Sequence, residues 1–553
     1  MPANAQPGLI NNPASDEGLP RPSRLALRPG DIQFYSVCDN LTEGLIYLMV
    51  LFSPWAFGTT QAWSIWVMNV GGYSLGLLLL IKLAIRYLKG YAAPCWGEET
   101  TGLRTTDHRS RTRDYGPQIQ EGSGFRVQGS RLTTVLAILT VAILAYCLIS
   151  ALNARVTERV PGLGPVYRSS IGWLPRSYDA QHTWFAFWTY LGLACSFWAV
   201  RDWLLGKTAG ERQSGGRSGG QSERQSEKQS GTVPGSLFPA RLRRLLWVLS
   251  INGGLLALEG IFERLCGSTK LLFIVRPRIN PEVHNHFGPW AYRANAAEYF
   301  NLLWPVCLAF WWTLHRTRGF RHNTHHLLLL CAAAMAACPI ISTSRGGAII
   351  ALAVAVFAAA LLLPAYLFST REGHKTTMVV LLLFFTAALS LGFFLGWKAL
   401  KPRMAQAGEG LEHREEMYEL IRPMADDYPL FGTGPGTFAT VFQDYPTSQV
   451  NPLYSCTLSR LWPPAQVHND WLETRITFGI LGSCLIALAF LTVAVRWFVR
   501  GGIHGGRRFM TLMWLAMGGC LVHARFDFPF QIHSIVFLFL IFCAMIFNLS
   551  RRG

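Results

Sequence analysis

The chain is short of charge, and shorter still of acid. Only 15% of its 553 residues are charged, 32 of them acidic against 50 basic, while 50% are hydrophobic and the mean hydropathy is +0.24. A soluble chain of this length would divide into roughly three or four domains, each needing a charged surface that this composition does not supply. The bilayer is the solvent it implies. The 12 cysteines contain no CxxC pair and lie scattered in apolar runs, as at Cys147, Cys195, Cys331, Cys338 and Cys543. A disulfide framework and a cysteine zinc site are therefore excluded, and the thiols read as small hydrophobes. The N-terminal MPANAQPGLINNPASDEGLPRPSRLALRPGD lacks an apolar stretch followed by a cleavage site, so the first helix is expected to insert uncleaved. A net charge of +18 by itself would admit nucleic acid, but Lys and Arg sit mostly in short loops between apolar runs. With no aromatic-interleaved basic face, no nucleic-acid partner is expected.

Apolar runs of bilayer length are abundant. They lie at Leu41 to Gly58, Ser64 to Leu83, Leu132 to Leu152, Thr183 to Val200, Leu245 to Cys266 and Ala294 to Leu314. A second group follows at Leu327 to Ile341, Gly347 to Phe368, Met378 to Trp397, Ile476 to Val495, Phe509 to Val522 and Ile532 to Phe547. Together they predict an all-α, polytopic transmembrane bundle of about 12 helices. The basic loops set its orientation, because Lys and Arg resist translocation. Arg104, Arg109, Arg111 and Arg113, then Arg241, Arg243 and Arg244, then Arg316, Arg318 and Arg321, and finally Arg507, Arg508, Arg551 and Arg552 all fall on one side. With that side cytoplasmic, both termini are inside.

The predicted organisation is a cytoplasmic tail over residues 1–40, four helices over 41–244 and a helical core over 245–550. Within the second region, residues 206–234 are Gly, Ser, Gln and charge in near-repeat, a composition that predicts a disordered cytoplasmic loop. Within the core, residues 398–468 form the one large outer loop, between the ninth and tenth helices, and are expected to be partly helical.

Arginines on the outer side stand next to helix ends, where an unpaired charge is costly. Arg293 begins the sixth helix, Arg345 occupies the turn between the seventh and eighth, and Arg414 follows the ninth. A guanidinium is permanently charged and presents a planar fork matched to phosphate oxygens, so such a set suits a lipid diphosphate. The plainer reading pairs each with an acid such as Glu298, Glu415 or Glu416. Gly346 and Gly347 beside Arg345 would let a ligand approach the backbone closely. His468, opening HNDWLETRITFGILG, has an imidazole able to take a proton from an attacking hydroxyl, with Asn469 and Asp470 orienting it or binding sugar hydroxyls. Alternatively, His468 and Asn469 simply cap the following helix. No second histidine stands at ligand spacing, so no metal is expected there. The stretch YPLFGTGPGTF has three glycines but no GK[ST] ending, which leaves a turn-rich loop and no nucleotide site. His523, Arg525 and Asp527 in HARFDFPF, with Tyr292 beside Arg293, could line the same cavity, but mutual pairing of Arg525 with Asp527 is the simpler account. Glu259 and Glu263 are intramembrane candidates with Arg264 as their expected partner.

Taken in order, YRANAAEYFNLLWP, TSRGGAIIALAVAV, REEMYELI with YPLFGTGPGTF, and HNDWLETRITFGILG resemble the O-antigen ligase and polymerase superfamily of bacterial inner-membrane proteins. The resemblance covers about Leu245 to Phe547. It implies a glycosyltransferase that moves a glycan from undecaprenyl diphosphate, at the periplasmic face, to an acceptor hydroxyl. The acceptor would be a glycan, a lipid A core or a protein, in lipopolysaccharide or surface-polysaccharide biosynthesis. It implies membrane lipids as surroundings, no cofactor and no metal. By this likeness Arg293 and Arg345 hold the diphosphate, Arg414 assists and His468 activates the acceptor. A polysaccharide polymerase or protein O-oligosaccharyltransferase is the alternative within the superfamily. A twelve-helix transporter or flippase is the alternative outside it, disfavoured because the two halves differ and the charges gather at the outer rim.

Overall fold

A computed structural model describes residues 26–96, 131–160, 164–208, 211, 238–277, 282–318, 323–364, 372–445, 466–500 and 506–549. Each apolar run coincides with a helix: α1 (Pro29–Trp55), α2 (Ala62–Leu88), α3 (Arg131–Leu152), α4 (Ala180–Leu205), α5 (Ala240–Leu265) and α6 (Arg293–Arg318). Then come α7 (Leu327–Ile341), α8 (Arg345–Leu362), α9 (Glu372–Ala405), the additional α10 (Ala407–Asp427), α11 (Asp470–Arg500), α12 (Arg507–His523) and α13 (His533–Leu549). Among the described residues seven helices are long and apolar enough to cross a membrane: α2, α3, α5, the α7 segment, α8, α9 and α11. Most of the tract expected to be a disordered loop, 212–234, lies outside the described residues.

Burial separates the helices into two kinds. On α6 and α13 nearly every side chain is buried, from Ala294 to Leu314 and from His533 to Leu549, so these two form the centre. On α2, α3, α8 and α9, large apolar residues such as Leu77, Leu80, Val141, Phe357 and Phe394 point outward. A surface so broadly apolar is stable only against lipid. The interior position of α6 suits its polar and aromatic content, since Trp304, Trp311, Asn301 and Glu298 are packed by protein, whereas α13 is apolar but only 17 residues long.

Several boundaries differ from the hydropathy reading, because helices continue past the apolar run where their polar ends pack on one another. α1 begins at Pro29 instead of Leu41, and α9 runs on to Ala405, so the start of the expected outer loop is helix. The predicted all-α class also misses an antiparallel hairpin, Val156–Val160 with Gly164–Tyr167. A second, smaller core joins that region to α10: Val156, Tyr178, Tyr418, Ile421, Met424, Phe438 and Val467 pack together.

The GTGPG turn is the connector between this outer layer and the bundle. α11 breaks at Gly479, whose backbone is left-handed at φ 61°, and the turn docks on the break. Thr433 and Gly434 N–H groups donate to the carbonyls of Ile476 and Thr477 at 2.8 and 3.0 Å, and Ile480 N–H donates to Pro429. Gly434 stands at φ 108°, and a Cβ there would collide with Ser177. Irregular backbone in the bundle is tolerated here because every freed group finds a protein partner.

At the opposite end from Arg293, buried charges tie four helices together. Lys82 on α2 bridges Asp39 on α1 at 3.2 Å and Asp202 on α4 at 2.9 Å. Arg86 reaches Asp202 at 2.6 Å, and Arg241 on α5 pairs with Asp39. Removing one member strands its partners away from water. Lys82→Met should destabilise the protein by about 3–5 kcal/mol, measured as a lowered Tm in detergent. Arg244→Ala, which breaks a half-exposed bridge to Glu43, should leave Tm nearly unchanged.

Candidate active site

Arg293, Arg345 and His468 start α6, α8 and the approach to α11, and because those helices run the same way through the bundle, all three come to one face. The loop before α6 closes with Phe287 and Trp290 exchanging backbone hydrogen bonds over 3.0 and 3.1 Å. It presents Arg293, whose Nη1 donates to the His284 carbonyl at 2.8 Å and to Asn285 Oδ1 at 2.5 Å. Arg345 follows a helix cap: Thr343 is left-handed at φ 64°, and the Ser344 hydroxyl accepts the Gly347 N–H. Its Nη1 donates to the Gln406 carbonyl at 2.8 Å.

The two glycines after Arg345 serve packing and not ligand approach. A Cβ on Gly347 would overlap Ala297 on α6, and one on Gly346 would meet His523. Removing both side chains lets α8 lie close on α6 and brings Arg345 near Arg293.

Sequence reasoning missed Arg403 because it ended the ninth helix at Trp397 and left Arg403 among the residues of the outer loop, whereas α9 runs on to Ala405 and carries Arg403 in its last turn. Arg403 lies within electrostatic reach of Arg345 and Tyr292, and Arg293 within reach of Arg403, Arg345 and Arg264. Arg264 does not pair with Glu259 or Glu263 as expected. Its guanidinium donates to the carbonyls of Val283 and His286 at 2.7 and 3.0 Å, and lies 2.9 Å from His284 Nδ1. Glu263 accepts instead from Gly288 N–H at 2.6 Å. Among the described residues no carboxylate lies within 4.0 Å of Arg264, Arg293, Arg345 or Arg403. His284 beside them is pushed below its ordinary value, by burial first and then by Arg264, Arg293 and Arg403. An apolar groove of about 530 Å³ lies between α8 and α9. Ile349, Leu352, Phe393, Trp397 and Leu400 line it, ending at Met404 next to Arg403.

The second half of the site is built on Asp527. His468 is itself left-handed, φ 56°, and is held there by the Tyr418 hydroxyl donating to its carbonyl at 2.7 Å. Its Nδ1 lies 3.0 Å from Asp527 Oδ1. Among the described residues nothing hydrogen-bonds Nε2. Asp527 Oδ2 accepts from the Tyr292 hydroxyl at 3.2 Å and faces Arg414 at 3.5 Å. Phe528 stacks on Tyr292, and His468 packs edge-on against both rings. Asp527 thus joins three expected site residues, His468, Tyr292 and Arg414, although pairing with Arg525 was the simpler expectation for it.

The remaining expected residues lie around this centre without forming it. Arg525 pairs with Glu415 at 3.2 Å and lies over the Tyr418 ring, not with Asp527. His523 is buried under Gly346 in a pair with Glu298, so it fastens α12 to α6 and does not line the cavity. Asn469 accepts the Leu472 N–H at 3.2 Å, the capping role weighed for it. Asp470 accepts from Phe530 N–H at 2.8 Å and Gln531 Nε2 at 3.3 Å, bracing the turn that carries Asp527. Both are buried and turned from the cavity.

Burial alone would raise the Asp527 carboxyl. The hydrogen bond from His468 and the charges of His468, Arg414 and His523 outweigh it and hold the group below its usual range. A carboxyl depressed on folding contributes its stability fully above its unfolded value, about 4, and loses it as pH falls through the folded value. Tm should therefore fall on the acid side, and Asp527→Asn should flatten that limb. An unchanged acid limb in the variant would remove Asp527 from this linkage.

No curated protein matches the chain. Residues 330–487, which span α7 to the middle of α11 and include Arg345, Arg403, Arg414 and His468, match the O-antigen ligase family, so this part of the chain is similar to that family.

Proposed function

We propose that this protein transfers a glycan from undecaprenyl diphosphate to an acceptor hydroxyl at the periplasmic face of the bacterial inner membrane, crossing it about twelve times with both termini inside. The observation that carries this reading is the group of arginines that, among the described residues, have no carboxylate within 4.0 Å, two of them, Arg345 and Arg403, on the helices that also line an apolar groove. A polyprenyl chain fits the groove, its diphosphate meets Arg345 and Arg403 first, and Arg293 and Arg264 stand behind them.

In this reaction the acceptor oxygen attacks the anomeric carbon as the bond from that carbon to the diphosphate oxygen breaks. Negative charge develops on the departing diphosphate, where preorganised guanidinium forks stabilise it more than the ground state. The acceptor proton goes to Nε2 of His468. Asp527 fixes the imidazole with Nδ1–H toward itself, so that the free nitrogen is the basic one, and stabilises the imidazolium that forms. Arg414 and Tyr292 hold Asp527 in turn and keep it ionised. Displacement from the face opposite the leaving group inverts the anomeric centre.

The test is transfer by the purified protein in lipid nanodiscs, with a lipid-linked glycan as donor. Lipid A core, a second lipid-linked glycan and a protein are offered as acceptors, and the product separates ligase, polymerase and protein-glycosylating activity. Arg345→Ala and Arg403→Ala should each lower the rate about 10²–10³-fold, with protein abundance unchanged. His468→Ala should abolish transfer, and Asp527→Asn should lower kcat more than it raises KM. Full activity in both arginine variants would overturn the diphosphate site; full activity in His468→Ala would remove the base.

A further inference from the structure

A second cluster of functional side chains lies at the far end of α6. His315 is 22 residues beyond Arg293 on the same helix, which places it about 33 Å away along the axis. There it meets His325 and His326 from the short turn Asn323–His326 that leads into α7. We propose that these three histidines bind one divalent transition-metal ion of the zinc class, remote from the glycan site.

The geometry carries the proposal. One ring nitrogen from each histidine lies within 4.8 Å of those of the other two. His315 Nδ1 and His325 Nε2 are 3.3 Å apart. Two imidazole ligands on a tetrahedral ion, with metal–nitrogen bonds near 2.0–2.1 Å, stand about 3.4 Å apart, so this pair already spans one tetrahedral edge. The outer contacts orient the rings as metal sites require. His315 Nε2 lies 2.9 Å from the Thr377 hydroxyl on α9. Donation from Nε2–H to that oxygen leaves the Nδ1 lone pair facing the cluster. Trp311 stacks flat on His315, with ring centres 5.0 Å apart and planes within 11°, and its indole N–H reaches His326 Nδ1 at 3.4 Å.

His315 and His325 are buried and His326 half-buried. A hydrogen bond between His315 and His325 alone would account for one pair of nitrogens, but not for the third ring turned onto the same point. Three neutral imidazoles favour Zn²⁺, Co²⁺, Ni²⁺ or Cu²⁺ over Mg²⁺ or Ca²⁺, which take oxygen ligands. The fourth position falls to water. An ion held here clamps the end of α6 to the turn before α7, and through Thr377 to α9.

The experiment uses the full chain, purified with a tag other than polyhistidine, stripped with chelator and given Zn²⁺ or Co²⁺. About one zinc per chain should be retained after desalting, and Co²⁺ should give the visible d–d absorption of a tetrahedral nitrogen site that Zn²⁺ then bleaches. His325→Ala should lose both signals, and Thr377→Ala should weaken binding roughly 10- to 100-fold. Zn²⁺ should also raise Tm of the wild type and not of His325→Ala. Should His325→Ala fail to fold, the cobalt spectrum and zinc competition on the unaltered chain decide alone. No retained zinc and no cobalt band in the wild type would overturn the site, as would equal retention by a folded His325→Ala.

Discussion

Everything at the outer face depends on keeping several guanidiniums close together without neutralising them. Positive groups in a half-buried, lipid-flanked setting repel one another, and the usual remedy is a carboxylate. Here the remedy is the backbone: carbonyls of Val283, His284, His286 and Gln406 accept from Arg264, Arg293 and Arg345. A carbonyl dipole fixes a guanidinium in place and offsets part of its desolvation cost, yet leaves its full charge for a ligand. Arg293 and Arg345 also open their helices, so the positive ends of α6 and α8 add to the same field. Helix packing is what holds such a field together.

That packing explains features with no direct chemical role. Gly347 brings α8 against Ala297, Asn301 donates to the Gly347 carbonyl at 2.9 Å, and the His523–Glu298 pair fastens α12 beneath. His468 is held by a different device. His468 sits in a left-handed conformation that costs energy for a non-glycine residue, and the outer layer of α10 holds it through Tyr418. The arginine group and His468 thus rest on separate cores, joined through Tyr292 and Asp527 and through the GTGPG turn locked into α11.

The legible part of the site was the part that each residue announces alone. Arg293, Arg345, Arg414 and His468 stood out because charge next to an apolar run demands a reason. Arg403 did not, because it lies six residues past the apolar run that ends at Trp397, and only the continuation of α9 to Ala405 carries it to the cluster. Asp527 was visible but assigned to Arg525, its neighbour in sequence. In the fold, α10 brings Glu415 to Arg525 and Arg414 to Asp527, so partners were exchanged between segments that sequence distance could not relate. Asn469 and Asp470 looked like sugar ligands, and only the position of the 528–531 turn turned them inward.

The amino-acid sequence by itself determined the solvent and where the apolar helices lie along the chain, because hydropathy acts over one segment at a time. The tertiary structure decided which arginines remain without an acid, which carboxylate holds His468, and that α6 and α13 lie inside while α3 and α9 face lipid. Those outcomes depend on which helix ends meet across the bundle, and a local pattern of residues carries no record of that meeting.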